Sequence, residues 1–303
     1  MPPTPPAPPQ IFDRARLAAR RNRVAKTFAD YDFLRQRVLT DLESRLDDTS
    51  RKFERGLELG ASGGELSARL IASGKAQAMV AGDTAARFND AARARGVEAE
   101  EVDEEALPFP PASLDLVVAP LTLHWVNDLP GALAQIRRAL KPDGLFVGAL
   151  FGAGTLAELR SVLTEAESEL MDGLAPRLSP LPGLRDMAGL LQRAGFALPV
   201  ADRDTVTVRY AEPARLLADL KGMGERAAFA RGTAQPLPRR VLARALELYR
   251  ERHSAADGRV PATFEILHVL GWAPAPGQPK PLTPGSARVS LADAVRAARK
   301  DGD

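Results

Sequence analysis

The chain of 303 residues is 45% hydrophobic, enough to bury a substantial core as one large domain or as one domain with an elaborated cap. Its 41 basic and 39 acidic residues nearly balance, which argues against dedicated binding of nucleic acid. The absence of cysteine excludes disulfides, thiolate nucleophiles and thiolate-bound metals, and it suits a reducing compartment. No segment approaches the roughly 18 uninterrupted apolar residues of a membrane-spanning helix, so none is expected.

The N-terminal region divides into a tail and two helices. Proline dominates its start, and we expect residues 1–10 to form a disordered tail. Residues 11–52 are predicted to hold N-terminal helices. The first of them, over 13–28, is rich in arginine, and we interpret it as a solvated basic helix rather than as a patch for an anionic partner. A second helix is predicted over 33–46.

The most informative segment runs from Gly56 to Glu65 and reads Gly-Leu-Glu-Leu-Gly-Ala-Ser-Gly-Gly-Glu. An apolar strand with Glu58 at its end passes through a glycine-rich turn into a helix, an order that directs backbone N–H groups at a ligand. A dinucleotide fingerprint would need glycine in place of Ser62, and a P-loop would need a Gly-Lys-Ser/Thr ending; neither is present. An acidic strand end favours a ligand with an ammonium group over one with phosphates. S-adenosylmethionine carries such a group.

Further polar residues follow later strands. A short apolar run over 76–81 ends in Gly82-Asp83, which places Asp83 to accept hydrogen bonds from both ribose hydroxyls. A third segment brings Asp103, which we predict to accept a hydrogen bond from an adenine amino group. Residues 114–119 are typical of a buried parallel strand, and His124 and Trp125 follow its carboxyl end. Substrate chemistry usually takes place beyond such strand ends.

The segment after this strand allows two interpretations of His124. The residue is either an active-site base or the start of the next helix, packed beside a pocket. Trp125 is expected to be a pocket wall rather than a catalyst. Asp128 is expected to cap the following helix, with Pro130 in its first turn.

The C-terminal half is predicted to hold helices, then two strands over 196–200 and 204–210 that suit an antiparallel sheet edge, then more helices over 213–272. We interpret this last stretch as a lid or a substrate-side layer. Glu265 and His268 within it have the spacing of half a di-iron site. Because one copy is insufficient, no metal site is predicted.

Several strings resemble the successive motifs of class I S-adenosylmethionine-dependent methyltransferases. They are Glu58-Leu-Gly60, Asp83, Asp103-Glu-Glu-Ala-Leu-Pro-Phe109, Leu123-His-Trp-Val-Asn-Asp-Leu-Pro130 and Leu140-Lys-Pro-Asp-Gly144. A second, more specific set resembles the group of complex I assembly factors that act as arginine hydroxylases, with their bacterial relatives. It comprises Ile11-Phe-Asp-Arg14, Gly148-Ala-Leu-Phe-Gly152, Leu220-Lys-Gly-Met-Gly-Glu225, Asp257-Gly-Arg-Val-Pro-Ala-Thr263, Gly271-Trp272 and Pro284-Gly-Ser-Ala287.

The resemblance implies an α/β class I methyltransferase fold, with a Rossmann-like doubly wound sheet that is mostly parallel, an antiparallel edge strand and a helical C-terminal layer. We expect the methyltransferase-fold domain, with a helical insertion, over 53–212, and a lid or partner-binding layer with a C-terminal tail over 213–303. S-adenosylmethionine is the implied cofactor. The residues expected to contact it are Glu58, Gly60, Ser62, Gly64, Asp83, Asp103, Glu104 and Leu121. Ser62 stands where the family usually has glycine, and we hypothesise that its hydroxyl contacts the ligand.

On the substrate side, His124 is the candidate catalytic residue, and Trp125, Phe151 and Trp272 are expected to line the opening. The resemblance implies a protein substrate, a subunit of respiratory complex I (NADH dehydrogenase). The expected location is the cytoplasm of a bacterium, at the periphery of membrane-bound complex I. Three functions stay open: methyl transfer, which we favour, hydroxylase-type modification of an arginine, and a non-catalytic role in assembly.

Overall fold

A computed structural model describes residues 9–233 and 235–279 of the chain. The predictions for most of the proline-rich tail, for the Pro284–Ala287 motif and for the C-terminal tail lie outside these residues. The described α-helices are α1 (Arg14–Val24), α2 (Phe33–Asp47), α3 (Glu65–Ala72), α4 (Ala86–Ala94), α5 (Leu129–Ala139), α6 (Ala157–Leu170), α7 (Leu184–Arg193), α8 (Pro213–Gly222) and α9 (Arg239–His253). The strands are β1 (Phe53–Leu59), β2 (Ala76–Gly82), β3 (Glu98–Glu100), β4 (Leu114–Pro120), β5 (Leu140–Phe151), β6 (Ala197–Tyr210) and β7 (Val260–Trp272).

These strands form one sheet in the order β3-β2-β1-β4-β5-β7-β6. The first five pair in parallel, whereas β7 runs antiparallel to both β5 and β6. The predicted doubly wound sheet, mostly parallel with an antiparallel edge, is confirmed. The order reverses direction at β1, with β4 on one side and β2 on the other, and ligands in such sheets bind outside the carboxyl ends of the strands at this point.

Both faces of the sheet are covered by helices. Every residue of β4 is buried, and successive side chains of a strand point to opposite faces. Leu116 and Val118 pack in one core cluster with residues of α2, α3, α6 and α9, whereas Val117 and Ala119 pack in a second cluster with residues of α5 and α7. Burial on both faces explains why this strand is a continuous apolar run.

The expectation of helices throughout 213–272 is wrong for its last part, because residues 260–272 form β7 between β5 and β6. The local pattern is that of a strand. Val260, Ala262, Phe264 and Ile266 are buried, and the residues between them are only partly buried, which is a period of two. The C-terminal segment therefore completes the sheet.

The structure corrects the prediction for the strands over 196–210 and confirms the prediction for the start of α5. The two short strands expected over 196–200 and 204–210 are a single strand, β6, whose pairing with β7 shifts register between Ala197 and Val200. The cap of α5 is confirmed: Asp128 accepts a hydrogen bond from the backbone N–H of Gly131, and a proline occupies the first turn. This cap fixes the chain direction just after His124 and Trp125.

Candidate active site

The candidate site lies where the parallel strands β1, β2 and β4 end side by side. The glycine turn follows β1, Asp83 follows β2, and Leu121 follows β4. Leu121 has a left-handed backbone (φ 54°) and donates its N–H to the carbonyl oxygen of Ala149 on β5. The sheet thus brings together residues that are far apart in the sequence.

The turn between β1 and α3 is built from left-handed residues. Gly60, Ser62, Gly63 and Gly64 all have positive φ, with values of 61°, 48°, 104° and 69°. A side chain at Gly60 would place its Cβ 2.4 Å from the Cβ of Thr122, so this position needs glycine for both conformation and space. Ser62 keeps the conformation that glycine would supply, although it carries a side chain.

Glu58 lies beneath the turn rather than in a cavity. Its side chain has no exposed surface, and its two carboxylate oxygens are held by Arg35 Nη2 at 2.8 Å and by the N–H and hydroxyl of Ser67 at 2.9 and 2.7 Å. Burial raises the pKa of Glu58 above its ordinary value, and Arg35 and Ser67 oppose that shift. The expectation that Glu58 receives a ligand's ammonium group conflicts with this geometry, because the carboxylate has no exposed surface and both of its oxygens already bind protein donors.

Asp83 is buried at the end of β2 and holds the turn to α1. Its Oδ2 accepts hydrogen bonds from Arg21 Nη2 at 2.5 Å and from the backbone N–H of Ser62 at 3.0 Å. Arg21 Nη2 also donates to the Ser62 hydroxyl at 3.0 Å. Burial alone would lower the pKa of Arg21, but the carboxylates of Asp83, Glu104 and Glu225 together outweigh that effect, and the pKa lies above its ordinary value.

Asp103 and Glu104 are joined to α1 by Arg14. Its Nη2 pairs with Asp103 Oδ1 at 2.8 Å and with Glu104 Oε2. Glu104 is buried and also accepts a hydrogen bond from Thr122, whereas the side chain of Asp103 is 42% exposed. Asp103 therefore lies at the rim of the site and Glu104 inside it.

Three arginines of the N-terminal helices thus pair with the four predicted acidic residues, and none of the three was predicted from the sequence to lie at the site. The interpretation of 13–28 as a solvated basic helix is wrong for Arg14 and Arg21. A signal was available, since Arg14, Leu17 and Arg21 share one face of α1, and Leu17 is buried in a small core cluster. An arginine flanking a buried leucine at helical spacing faces the protein.

Two adjoining cavities open at this edge of the sheet. The turn cavity, of about 350 Å³, is lined by Arg21, Phe28, Tyr31, Arg35, Ser62 and Leu121 among others. The aromatic cavity, of about 450 Å³, is lined by His124, Trp125, Phe264, Arg160 and Leu220 among others. Phe151 and Glu225 line both. The sites for two ligands would therefore share a wall.

His124 and Trp125 lie on a short helical turn after β4, and both are buried. His124 Nε2 is 3.0 Å from Glu225 Oε2, and Trp125 Nε1 donates to the same oxygen at 3.1 Å. An ionised carboxylate only accepts, so Nε2 of His124 carries a proton in this contact. His124 Nδ1 is buried with no partner among the described residues. The sequence analysis placed His124, Trp125 and Phe151 here, but it did not single out Glu225.

Trp272 does not belong to this opening. β7 is antiparallel, so its residue Ile266 pairs with Phe151 at the site end of β5, and Trp272 pairs with Leu145 six positions further along. At about 3.3 Å per residue, this separates Trp272 from the site edge by roughly 20 Å. The prediction that Trp272 lines the substrate opening is wrong.

The Glu265–His268 pair has strand geometry rather than helix geometry. Residues three apart on β7 point to opposite faces. Glu265 accepts a hydrogen bond from the backbone N–H of Gly154, and His268 Nε2 lies 3.8 Å from Asp41 Oδ2 on α2. The pair therefore cannot act as one half of a shared metal site.

The fold and this arrangement of glycine turn, strand-end acids and paired cavities define a class I methyltransferase-fold protein. Residues 57–148 match the methyltransferase domain family. The chain is 38% identical over 298 residues to "Arginine-hydroxylase NDUFAF5, mitochondrial" of Danio rerio, covering 97% of this chain and 92% of that protein. It therefore belongs to the NDUFAF5 arginine-hydroxylase family, within the class I methyltransferase superfamily.

The chain is also similar, at lower sequence identity, to one further curated protein and to one solved structure. A malonyl-acyl-carrier-protein O-methyltransferase of Halorhodospira halophila is 30% identical over 272 residues, which cover 88% of this chain and 90% of that protein. A putative methyltransferase structure from Bacillus halodurans matches with a TM-score of 0.56 at 15% identity, covering 78% of this chain and all of that one. The structural match shows the shared fold alone. Within the described residues, no helix combines the length and the apolarity needed to cross a membrane.

Proposed function

We propose that this protein binds S-adenosylmethionine in the turn cavity and modifies a protein side chain in the aromatic cavity, in the assembly of respiratory complex I. The observation that carries the proposal is the shared wall: Phe151 and Glu225 line both cavities. A ligand beside the glycine turn and a side chain entering the aromatic cavity would meet there. Close approach and orientation of two bound reactants can lower the barrier of such a reaction by roughly 7 to 11 kcal/mol.

The residues of the turn cavity fit this cofactor. Ser62 of the glycine-rich turn lines the cavity, and Leu121 gives it an apolar surface. Asp83 lies directly behind Ser62 and Arg21, to which it is hydrogen-bonded, and offers a carboxylate for the ribose hydroxyls. When bound, S-adenosylmethionine supplies an electrophilic methyl group on its sulfonium sulfur. One exchange is needed, because Arg21 now holds the Asp83 oxygen that a ribose hydroxyl would take.

The aromatic cavity supplies orientation and exclusion of water. Phe151 lies against His124, with ring centroids 4.9 Å apart, and against Phe264 at 6.0 Å. These apolar walls remove competing water from an entering side chain. His124 Nδ1, buried and without a partner among the described residues, is placed to accept a proton from that side chain.

The protein client and its place in complex I assembly rest on the family. The relative from Danio rerio bears the name arginine-hydroxylase and matches over nearly its whole length. This name favours a second candidate reaction at the same site, the hydroxylation of an arginine, which would consume an oxidant and a reductant. The relative's name also gives a mitochondrial location, so a bacterial cytoplasmic location stays a prediction.

Two measurements test the proposal. Titration calorimetry with S-adenosylmethionine should give saturable binding, and Asp83→Asn should weaken it by about 1 to 3 kcal/mol through lost charged hydrogen bonds. Asp202→Asn is a matched control, because Asp202 also pairs with an arginine, Arg45, but lies on the sheet edge away from the site. No binding by the native protein would refute the cofactor assignment.

The reaction is identified from the mass of a purified complex I subunit after incubation with the protein, S-adenosylmethionine, dioxygen as oxidant and a chemical reductant. Methyl transfer adds the mass of a methylene group, whereas hydroxylation adds that of an oxygen atom. We expect one modified residue per subunit molecule. An unmodified subunit, with cofactor bound, would favour the non-catalytic assembly role.

A further inference from the structure

Glu225 is held rigidly at the wall between the cavities. It follows α8 at the end of the string Leu220-Lys-Gly-Met-Gly-Glu225, in which Gly224 has a left-handed backbone (φ 82°). The N–H of Glu225 donates to the carbonyl of Leu220 at 2.9 Å, and the N–H of Gly224 donates to that of Lys221 at 3.2 Å. This is the Schellman arrangement of a helix end. Gly224 thus ends the helix in the conformation that places the carboxylate of Glu225.

The environment of that carboxylate differs from that of the other acids at the site. Both contacts from His124 and Trp125 reach Oε2, and no described residue donates a hydrogen bond to Oε1. The side chain is mostly buried, with 13% of its surface exposed. One oxygen is therefore fixed by the protein, and the other is left for a donor that enters the cavity.

The surfaces around Oε1 suit a flat cation. Aromatic rings of Trp125, Phe151 and Phe264 line the same cavity, and aromatic faces attract cations. A guanidinium group can stack on such a ring while it donates to a carboxylate, whereas an ammonium group is compact and strongly hydrated. An uncharged side chain could donate to Oε1 but would add no positive charge, so it would compensate the mostly buried carboxylate of Glu225 less well than a cation.

Three arginines lie near Glu225, namely Arg20, Arg21 and Arg160, but each of them neutralises the charge of its carboxylate only weakly. Arg21 is already paired with Asp83, and Arg20 donates to the backbone carbonyl of Arg226. Arg160 lines the cavity but is exposed to solvent, which screens its charge. The mostly buried carboxylate of Glu225 therefore dominates the electrostatic interaction with a cationic group that enters the cavity.

We propose that Glu225 selects the acceptor side chain, and that it favours a guanidinium group over a neutral group of the same shape. This inference rests on the proposed function and names the specificity residue of its aromatic cavity. His124 and Trp125 act as positioning residues for the carboxylate, because both bind the oxygen that the acceptor does not.

The test uses the full chain and a fluorescent readout that needs no turnover. The sequence contains two tryptophans, so Trp272→Phe leaves Trp125, which touches Glu225, as the single reporter. Three short peptides are titrated that differ only at one central residue: arginine, its neutral isostere citrulline, or lysine. We expect the arginine peptide to change Trp125 fluorescence saturably and to bind at least tenfold more tightly than the citrulline peptide.

Variants separate charge recognition from structural support. Glu225→Gln keeps the shape and should abolish the preference for arginine over citrulline while the citrulline peptide binds as before. Glu225→Asp keeps the charge and should retain a preference, and Glu251→Gln, which changes an exposed acid on α9, should behave as the native protein. A structural role alone would weaken both peptides equally.

Equal binding of the arginine and citrulline peptides by the native protein would overturn the inference, as would a preference that survives Glu225→Gln. Loss of S-adenosylmethionine binding in Glu225→Gln would assign the residue to the cofactor instead and would also overturn it. Failure of the proposed function has a different signature. In that case the mass of the complex I subunit does not change, although the fluorescence preference for arginine remains.

Discussion

The two cavities at one edge of the sheet handle negative charge in opposite ways. On the turn side, Glu58, Asp83 and Glu104 are each paired with an arginine from the N-terminal helices. On the aromatic side, no arginine or lysine among the described residues pairs with Glu225, which is held by two ring N–H groups. A ligand that binds Glu58, Asp83 or Glu104 must therefore displace a protein cation, whereas a cation that reaches Glu225, on the wall shared by both cavities, meets an available carboxylate oxygen.

Arg35→Ala is expected to have the largest effect on stability, because it tests how strongly the turn side depends on its paired charges. Arg35 is buried and is the charged partner of Glu58, and it also donates to the carbonyls of Ala61 and Pro120. Removing it leaves a buried carboxylate without its counter-charge, so the free energy of unfolding in urea should fall by about 3 to 5 kcal/mol.

A neighbouring arginine on the same helix provides the control. Arg37 pairs with Asp204, but its side chain is 51% exposed. Arg37→Ala should therefore change the free energy of unfolding by less than about 1 kcal/mol. Equal losses in the two variants would mean that burial does not distinguish these ion pairs.

The next largest effect is expected from the contact between Arg21 and Asp83, in which a ribose hydroxyl would have to replace the arginine. Arg21→Met removes the cation that occupies Asp83 but keeps an apolar stem of similar length. If a ribose must displace Arg21, the variant should bind S-adenosylmethionine more tightly by about 1.5 to 3 kcal/mol, the contribution of hydrogen bonds to a charged group. Calorimetry on both proteins measures this difference. Weaker binding would show that Arg21 helps to hold the cofactor rather than blocking it.

The features that the sequence predicts correctly are local ones. The strand, turn and helix around Gly60, the position of Asp83 at a strand end and the cap at Asp128 all depend on residues within one or two turns of chain. Their signals are therefore complete within short windows. The strand β7 also has a local signal, its period of two over 260–266, but the helical interpretation of its surroundings overrode it.

The features that were missed depend on contacts distant in sequence. Arg21 and Asp83 are 62 positions apart, and His124 and Glu225 are 101 apart. Neither arginine nor glutamate reveals its partner by composition, because both residue types usually face solvent. The position of Trp272 likewise depends on the antiparallel direction of β7, which places this residue opposite Leu145. The residues around Gly271 do not reveal that direction.

A smaller effect probes the aromatic side. Trp125→Phe keeps an aromatic ring but removes the N–H that donates to Glu225, and the free energy of unfolding should fall by about 1 kcal/mol, the net value of one hydrogen bond. Affinity for S-adenosylmethionine should not change. Trp272→Phe is the control, because the indole N–H of Trp272 makes no hydrogen bond within the described residues. Tighter or weaker cofactor binding in Trp125→Phe would show that the hydrogen bond from Trp125 to Glu225 also supports the cofactor side of the shared wall.

The smallest effect is expected in the turn itself, where Ser62 combines a left-handed backbone with a useful hydroxyl. That hydroxyl accepts a hydrogen bond from Arg21 and donates one to the carbonyl of Gly60 at 3.2 Å. Ser62→Ala loses the hydroxyl and keeps the strained backbone, so the free energy of unfolding should fall by about 1 kcal/mol.

Ser62→Gly loses the same hydroxyl, but it relieves the left-handed strain of about 1 to 2 kcal/mol. Part of that gain is offset by the greater freedom of glycine in the unfolded chain, about 0.5 to 1 kcal/mol. The free energy of unfolding of the glycine variant should therefore lie within about 0.5 kcal/mol of that of the native protein, and it should be higher than that of the alanine variant. Urea unfolding of the three proteins measures the order. With no strain at Ser62, the glycine variant would be less stable than the alanine variant by about 0.5 to 1 kcal/mol, the cost of the greater freedom of glycine in the unfolded chain. That order of stabilities would show that the hydroxyl alone explains why this family member can do without glycine there.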